Sequence, residues 1–206
     1  MEKEEMKDLT VAEKIANAHG FENWKNVEQV QFTFQVDRDS IKGNGRSWQW
    51  HPKKDSVVMR GVEKDIKYVR TNVDSLSLNA DKAFVNDKYW LFVPFQLVWD
   101  SSATISEPKK AEAPISKEQK NMITITYPDN GGYTPGDAYD IYYNDDFIIE
   151  EWVYRKGNSE EPTMATTFEN YKDYNGIKIA TDHKMEKGNW NLNFTNVSIE
   201  TEKPKS

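Results

Sequence analysis

Between residues 29 and 36 the chain is written in period two: Val30, Phe32, Phe34 and Val36 alternate with Gln29, Gln31, Thr33 and Gln35. A strand with one buried and one wet face requires this alternation, because successive side chains point to opposite sides. The rhythm recurs between turn signals. Gly43-Asn44-Gly45 leads into Trp48-Gln49-Trp50, His51–Asp55 turns into residues 56–60, and strands are expected at 64–70 and 74–78. It resumes at 122–127, 138–144, 147–156, 163–172, 177–185 and 190–200, with Asn144-Asp145-Asp146 and Asn175-Gly176 as tight turns. In the last strand Trp190, Leu192 and Phe194 share one parity, and Val197 and Ile199 take the other. That mismatch predicts a bulge near Thr195-Asn196.

Roughly ten or eleven strands without βαβ alternation make an antiparallel meander, and one that long curls rather than staying flat. The expected fold is mainly β: a curved antiparallel sheet forming an incomplete barrel, with an N-terminal helix and a short central helix covering the concave side. The N-terminal helix is signalled by the capping box Thr10-Val11-Ala12-Glu13, by Val11, Ile15 and Ala18 at helical spacing, and by Gly20 as a left-handed stop. The central helix is expected at 81–88, and the polar stretch 101–120, with Pro108 and Pro114, reads as an exposed loop. Residues 1–9 read as a flexible tether, 10–200 as a single domain and 201–206 as a tail.

An aromatic fraction of 13%, including 7 Trp, is ample for a sizeable core. A net charge of −7 with no clustered Lys and Arg argues against nucleic-acid binding. Cysteine is absent, so disulfide and thiolate chemistry are excluded. No apolar run approaches the roughly 20 residues of a transmembrane helix. The first residues, Met-Glu-Lys-Glu-Glu-Met-Lys-Asp, contain no apolar signal core. The expectation is a periplasmic or outer-membrane-anchored lipoprotein whose export signal is not in this sequence; the alternative is a cytoplasmic protein. A monomer is expected.

Nucleophile and zinc motifs are missing, and His19, His51 and His183 read as structural or surface residues. Glu150 and Glu151 are strand neighbours that point apart, although one of them could face the interior as an acid. Asp129, Asp137 and Asp140 match no calcium loop, and turn chemistry accounts for the glycines among them. No catalytic residue, metal or cofactor is called for.

What remains is the aromatic excess. The stretch Tyr89–Asp100 is the most apolar in the chain, and Pro94 at its middle disfavours both a regular helix and a central strand. It therefore reads as a lid or edge over the barrel mouth, with Trp90, Phe92, Phe95 and Trp99 turned toward the cavity. Trp48, Trp50, Tyr139, Tyr143 and Trp152 would line the walls, since wide rings suit a site for apolar ligands. The alternative is that all of them are core.

The order helix, meander, interrupting helix, meander accompanies several short signatures. These are Ala18-His19-Gly20-Phe21 with Trp24, Tyr89-Trp90-Leu91-Phe92 with Pro94-Phe95, and Thr134-Pro135-Gly136-Asp137 with Tyr139-Asp140. Trp152-Val153-Tyr154-Arg155 and Tyr171-Lys172 with Asn175-Gly176-Ile177 complete the set. Together they resemble the periplasmic lipoprotein-carrier family typified by LolA and LolB, over most of residues 10–200. The resemblance implies a half-barrel with helices as a lid over an apolar cavity, which in the carriers accepts acyl chains. It supplies no match to the polar group with which carriers hold and release lipoprotein. The expected function is non-enzymatic binding of a hydrophobic ligand, a lipid or a lipidated protein, in the bacterial envelope. A structural or interaction module with a self-filled barrel, and a hydrolase using Glu150 or Glu151, stand as alternatives.

Overall fold

The computed structural model describes residues 9–202. The expected tether, apart from Leu9, and the end of the expected tail lie outside the described residues. Helix α1 (Val11–Ala18) starts with the reciprocal capping box: the Thr10 hydroxyl accepts from the Glu13 amide, and the Glu13 carboxylate accepts from the Thr10 amide. Gly20 follows at φ +87°, and a Cβ there would come within 1.8 Å of the Gly176 carbonyl oxygen. Glycine is needed at this point for close approach as well as for its dihedral.

Seven antiparallel strands form the first sheet, in the order β11-β12-β13-β1-β2-β3-β4. They are β1 (Val27–Asp37), β2 (Arg46–His51), β3 (Ser56–Arg60), β4 (Ile66–Val69), β11 (Glu169–Tyr174), β12 (Ile177–Lys184) and β13 (Asn191–Thr201). The pairing of β1 with β13 slips between Gln31 and Thr33, opposite a left-handed Asn196 at φ +51°. This is the bulge that the parity change in β13 demands. The second sheet contains β5 (Thr104–Ile105), β6 (Lys109–Glu112), β7 (Gln119–Thr126), β8 (Ala138–Tyr143), β9 (Ile149–Arg155) and β10 (Met164–Thr167). Its order is β10-β9-β8-β7-β5, with β6 also paired to β7. Neither sheet closes on itself, as an incomplete barrel requires.

Several expected elements differ. The stretch 101–120 contributes β5 and β6, and lies along β7 rather than looping into solvent. Residues 74–78 are not a strand; they lead into a helix, and Asp74 accepts from the backbone of Leu76 and Ser77. The expected strand 163–172 breaks at Phe168, so that β10 belongs to one sheet and β11 to the other. The central helical segment is also longer than 81–88: α2 spans Leu78–Leu91, and α3 follows at Val93–Trp99. Pro94 does not prevent helix here. The break falls at Phe92 (φ −121°, ψ 34°), which leaves Pro94 in the first turn of α3, where its missing N–H would have had no partner.

This broken helix lies between the sheets. Phe84, Leu91, Phe92 and Phe95 join the core that contains Phe32, Trp48, Trp50 and Phe194 of the first sheet. Tyr89, Val93 and Leu97 join the core that contains Ile123, Tyr139, Ile141 and Trp152 of the second. The register of α2 on β2 is set by Asp87, which is wholly buried. Its carboxylate accepts from Arg46 Nε (2.8 Å) and Nη2 (2.6 Å), from the Trp48 indole (2.8 Å) and from Asn86 (3.0 Å).

Asp87 is buried but Arg46 is 38% exposed, so removing the acid strands the Trp48 indole while the guanidinium can still turn to water. Asp87→Ala should therefore lower unfolding free energy by about 2–3 kcal/mol in urea titration. Asp87→Leu combined with Arg46→Met should recover part of that loss. A loss below about 1 kcal/mol for the single change would show that Asp87 does not hold α2 in place.

Candidate functional site

The structure gathers eight of the nine expected ligand-contacting rings into two packs on either side of α2 and α3. Trp48, Trp50, Phe92, Phe95 and Trp99 form the first, with Trp24 at its centre, 5.4 Å from Trp50 and 4.8 Å from Trp99 between ring centroids. Phe21 and Phe84 extend this pack through edge contacts. Trp90, Tyr139 and Trp152 form the second, with Trp90 4.4 Å from Trp152 and Tyr139 stacked on Trp152 at 5.0 Å. Phe168 and His183 complete it. In this conformation the rings fill the space between sheet and helix with one another, and Tyr89–Asp100 is an interior helical wedge.

Trp24, Phe21, Phe84 and Phe168 are not among the ligand-contacting residues expected from sequence, although Phe21 and Trp24 belong to the signature of the family resemblance. Gly20 followed by Phe21 and Trp24 was the available signal, since a left-handed stop turns the next residues back onto the sheet. Within these packs the indole N–H groups of Trp50 and Trp152 and Nε2 of His183 have no hydrogen-bond partner. Lys88 reaches over the rings of Trp50 and Trp99, at 5.4 and 5.5 Å, and its partial burial pulls its pKa down to about 8.

Tyr143, the ninth residue, lies elsewhere, on an open groove of about 800 Å³. Val11 and Ala12 of α1, Leu97 of α3, Ile105 of β5 and Pro108 supply its apolar walls, with Lys14, Glu107 and Asp145 as its charged lining groups. That volume falls within the range of small-ligand sites, roughly 300–1,000 Å³. Phe147 forms one wall, its ring stacked on Tyr143 (5.8 Å, 17°) and 5.8 Å from the Lys14 ammonium. It reaches that place at a backbone φ of +61°. A bulky residue there costs on the order of 1–3 kcal/mol, and six of the eight described non-glycine residues with positive φ are Asn or Asp, which tolerate it.

The acidic candidates have structural partners. Glu151 is buried and accepts from the amides of Ile115 and Ser116, and Glu150 pairs with Lys120. Asp137 accepts from the Tyr154 hydroxyl and the Gly157 amide, and Asp140 pairs with Arg155. Among the described residues no group of three or more His, Asp or Glu is placed to hold a metal ion. No described helix is long and apolar enough to cross a membrane.

His19 and His183 are both wholly buried. Nδ1–H of His19 donates to the Ile15 carbonyl (2.8 Å), which leaves Nε2 facing the Ile149 amide at 3.4 Å. The Tyr171 hydroxyl donates to the Ile149 carbonyl (2.8 Å), so His19 sits where α1 and the two sheets meet. His183 donates from Nδ1 to the Leu192 carbonyl (3.2 Å), enclosed by the edges of Trp90, Phe168 and Phe194. Burial disfavours the imidazolium at both and holds each pKa down to about 4.

No family model matches the sequence, and no curated protein matches it. Among solved structures, a LolA superfamily protein from Nitrosomonas europaea superposes with a TM-score of 0.55 at 10% identity, covering 95% of this chain and 96% of that one. A DUF1329 family protein from Desulfovibrio piger gives 0.47 at 11% identity, covering 92% of each chain. An outer membrane lipoprotein-sorting protein domain from Vibrio parahaemolyticus also gives 0.47 at 11%, covering 92% and 94%. The chain has a LolA-like fold.

The two histidines make stability pH-dependent. Unfolded, each takes a proton near pH 6.5; folded, each refuses it until about pH 4. The unfolded state therefore binds more protons across that window, and stability falls as pH drops through it, by on the order of 3 kcal/mol per histidine at most. The urea midpoint should decrease between pH 6.5 and 5, and His183→Leu should flatten that slope. An unchanged slope in the variant would contradict the assignment.

Proposed function

We propose that this protein binds a hydrophobic ligand, a lipid or the acyl chains of a lipoprotein, without catalysis, in the bacterial cell envelope. The observation that carries this reading is the open groove of about 800 Å³ beside α1, with apolar walls and a polar rim, in a fold of the LolA type. The groove borders Ala12, Leu97 and Tyr143, which belong to the same core as Trp90, Tyr139 and Trp152. A chain lying in the groove would thus lie against the outer side of that core. Lifting α3 from the sheets would extend the path between the rings of both packs, to Trp48, Trp50, Phe92, Phe95 and Trp99. Burial contributes about 0.8 kcal/mol per methylene, enough to retain a long acyl chain with no reactive group involved. The unpaired indole N–H groups of Trp50 and Trp152 are donors suited to an ester or amide oxygen of such a ligand.

A second reading is favoured by a different observation. The rings between sheet and helix, Trp48, Phe92, Phe95 and Trp152 among them, are already packed on one another and almost wholly buried. That suits a self-filled module whose partners bind its loops or sheet edges.

One experiment separates the two. Lipid extracted from freshly purified protein, and uptake of a fluorescent C16 fatty acid by the delipidated protein, are expected under the first reading. Ile105→Glu, on the groove wall, should then weaken uptake about tenfold, equivalent to about 1.4 kcal/mol. Absence of both extracted lipid and uptake in the unaltered protein selects the self-filled module.

A further inference from the structure

The hairpin joining β8 to β9 is built around Asn144, whose side-chain oxygen accepts from the amides of Asp146 and Ile148. Its backbone carbonyl accepts from the Phe147 amide. In this turn the left-handed position falls on Phe147, where a three-residue hairpin loop ordinarily carries glycine. A glycine there would form the same turn without strain. Phenylalanine makes no contribution to the turn itself, but its ring stacks on Tyr143 and walls the groove.

The groove's charges indicate which end of a ligand belongs at this wall. The Lys14 ammonium makes no hydrogen bond or ion pair within the described residues and lies over the face of Phe147. Asp145 is compensated by Lys110 (3.3 Å) and by Asn121 (2.9 Å). The Lys14 ammonium beside the Phe147 ring offers a pairing partner to an anionic head, and because Glu107 and Asp145 also line the groove, a singly charged head is opposed less than a doubly charged one.

We infer that Phe147 is held in its left-handed conformation as a binding residue, walling the groove for the chain of a long-chain carboxylate whose head pairs with Lys14. This deepens the preceding reading and rests on it.

The test uses the full chain, the displacement of a fluorescent C16 carboxylate by hexadecanoate or 1-hexadecanol, and urea unfolding. Phe147→Gly and Phe147→Asn both suit the left-handed position, so both should keep a urea midpoint close to or above that of the unaltered protein. Both should bind the fluorescent carboxylate at least tenfold more weakly. Lys14→Gln should weaken hexadecanoate several-fold while leaving 1-hexadecanol unchanged. Unaltered carboxylate binding in both Phe147 variants overturns the role of the ring. Equal effects of Lys14→Gln on acid and alcohol overturn the head-group assignment. If the unaltered protein binds neither amphiphile, the groove reading of the preceding subsection fails, and this inference fails with it.

Discussion

A single carboxylate deep in the molecule holds the architecture together. Asp87 has no access to water, and such a charge persists only where its acceptor sites are filled, here by Arg46, the Trp48 indole and Asn86. Because two of these partners lie on β2 and the acid on α2, the contact fixes the rotation of the helix on the first sheet. With that rotation set, Phe84 and Leu91 face the first sheet while Tyr89 faces the second. The break at Phe92 then lets α3 continue this division. Two open sheets thereby share one helical wedge, and each obtains a core that it could not form alone.

The other constraint is the seam where the sheets meet. Phe168 turns the chain from β10 into β11, and its amide donates to the Glu150 carbonyl of the second sheet. Nearby, Thr167 accepts from the amide of Lys184 on β12, so a side chain bridges the sheets where strand pairing stops. His19 and Tyr171 both reach Ile149 across the same junction. The end of α1 is held there as well, since Lys178 donates to the His19 carbonyl and Asn23 to that of Gly176. Two imidazoles lie wholly buried at or near this seam, and burial disfavours their protonation there.

These constraints frame the ligand question. The interior held by Asp87 is closed by its own rings, whereas the groove beside α1 is open and bounded by short contributions from α1, β5 and the β8–β9 turn. A rigid interior with an adaptable rim is a common division of labour, because short edge elements move at lower cost than a packed core. Phe147 belongs to that rim, and it strains a left-handed position that a glycine would fill freely.

Much of this was legible in the sequence because it depends on neighbours a few residues away. The alternation in β1, the bulge at Thr195-Asn196, the Asn175-Gly176 turn and the capping box of α1 are local patterns, and the chain adopts each of them. The aromatic residues singled out as site candidates were legible as a group, since ring-rich faces recur at strand spacing. Their arrangement was not. Whether Pro94 ends a helix or begins one depends on where the preceding helix stops, and that is decided by packing at Phe92 and Asp87. Whether 101–120 is loop or strand depends on β7 offering it an edge, and whether the ring of Phe147 walls a groove depends on Tyr143 receiving it. The sequence alone therefore determined most of the long strands, the tight turns and the supply of aromatic surface, through contacts between near neighbours. The tertiary structure decided which sheet each strand joins, which rings close on one another and where a groove is left open, because those outcomes depend on contacts between residues far apart in the chain.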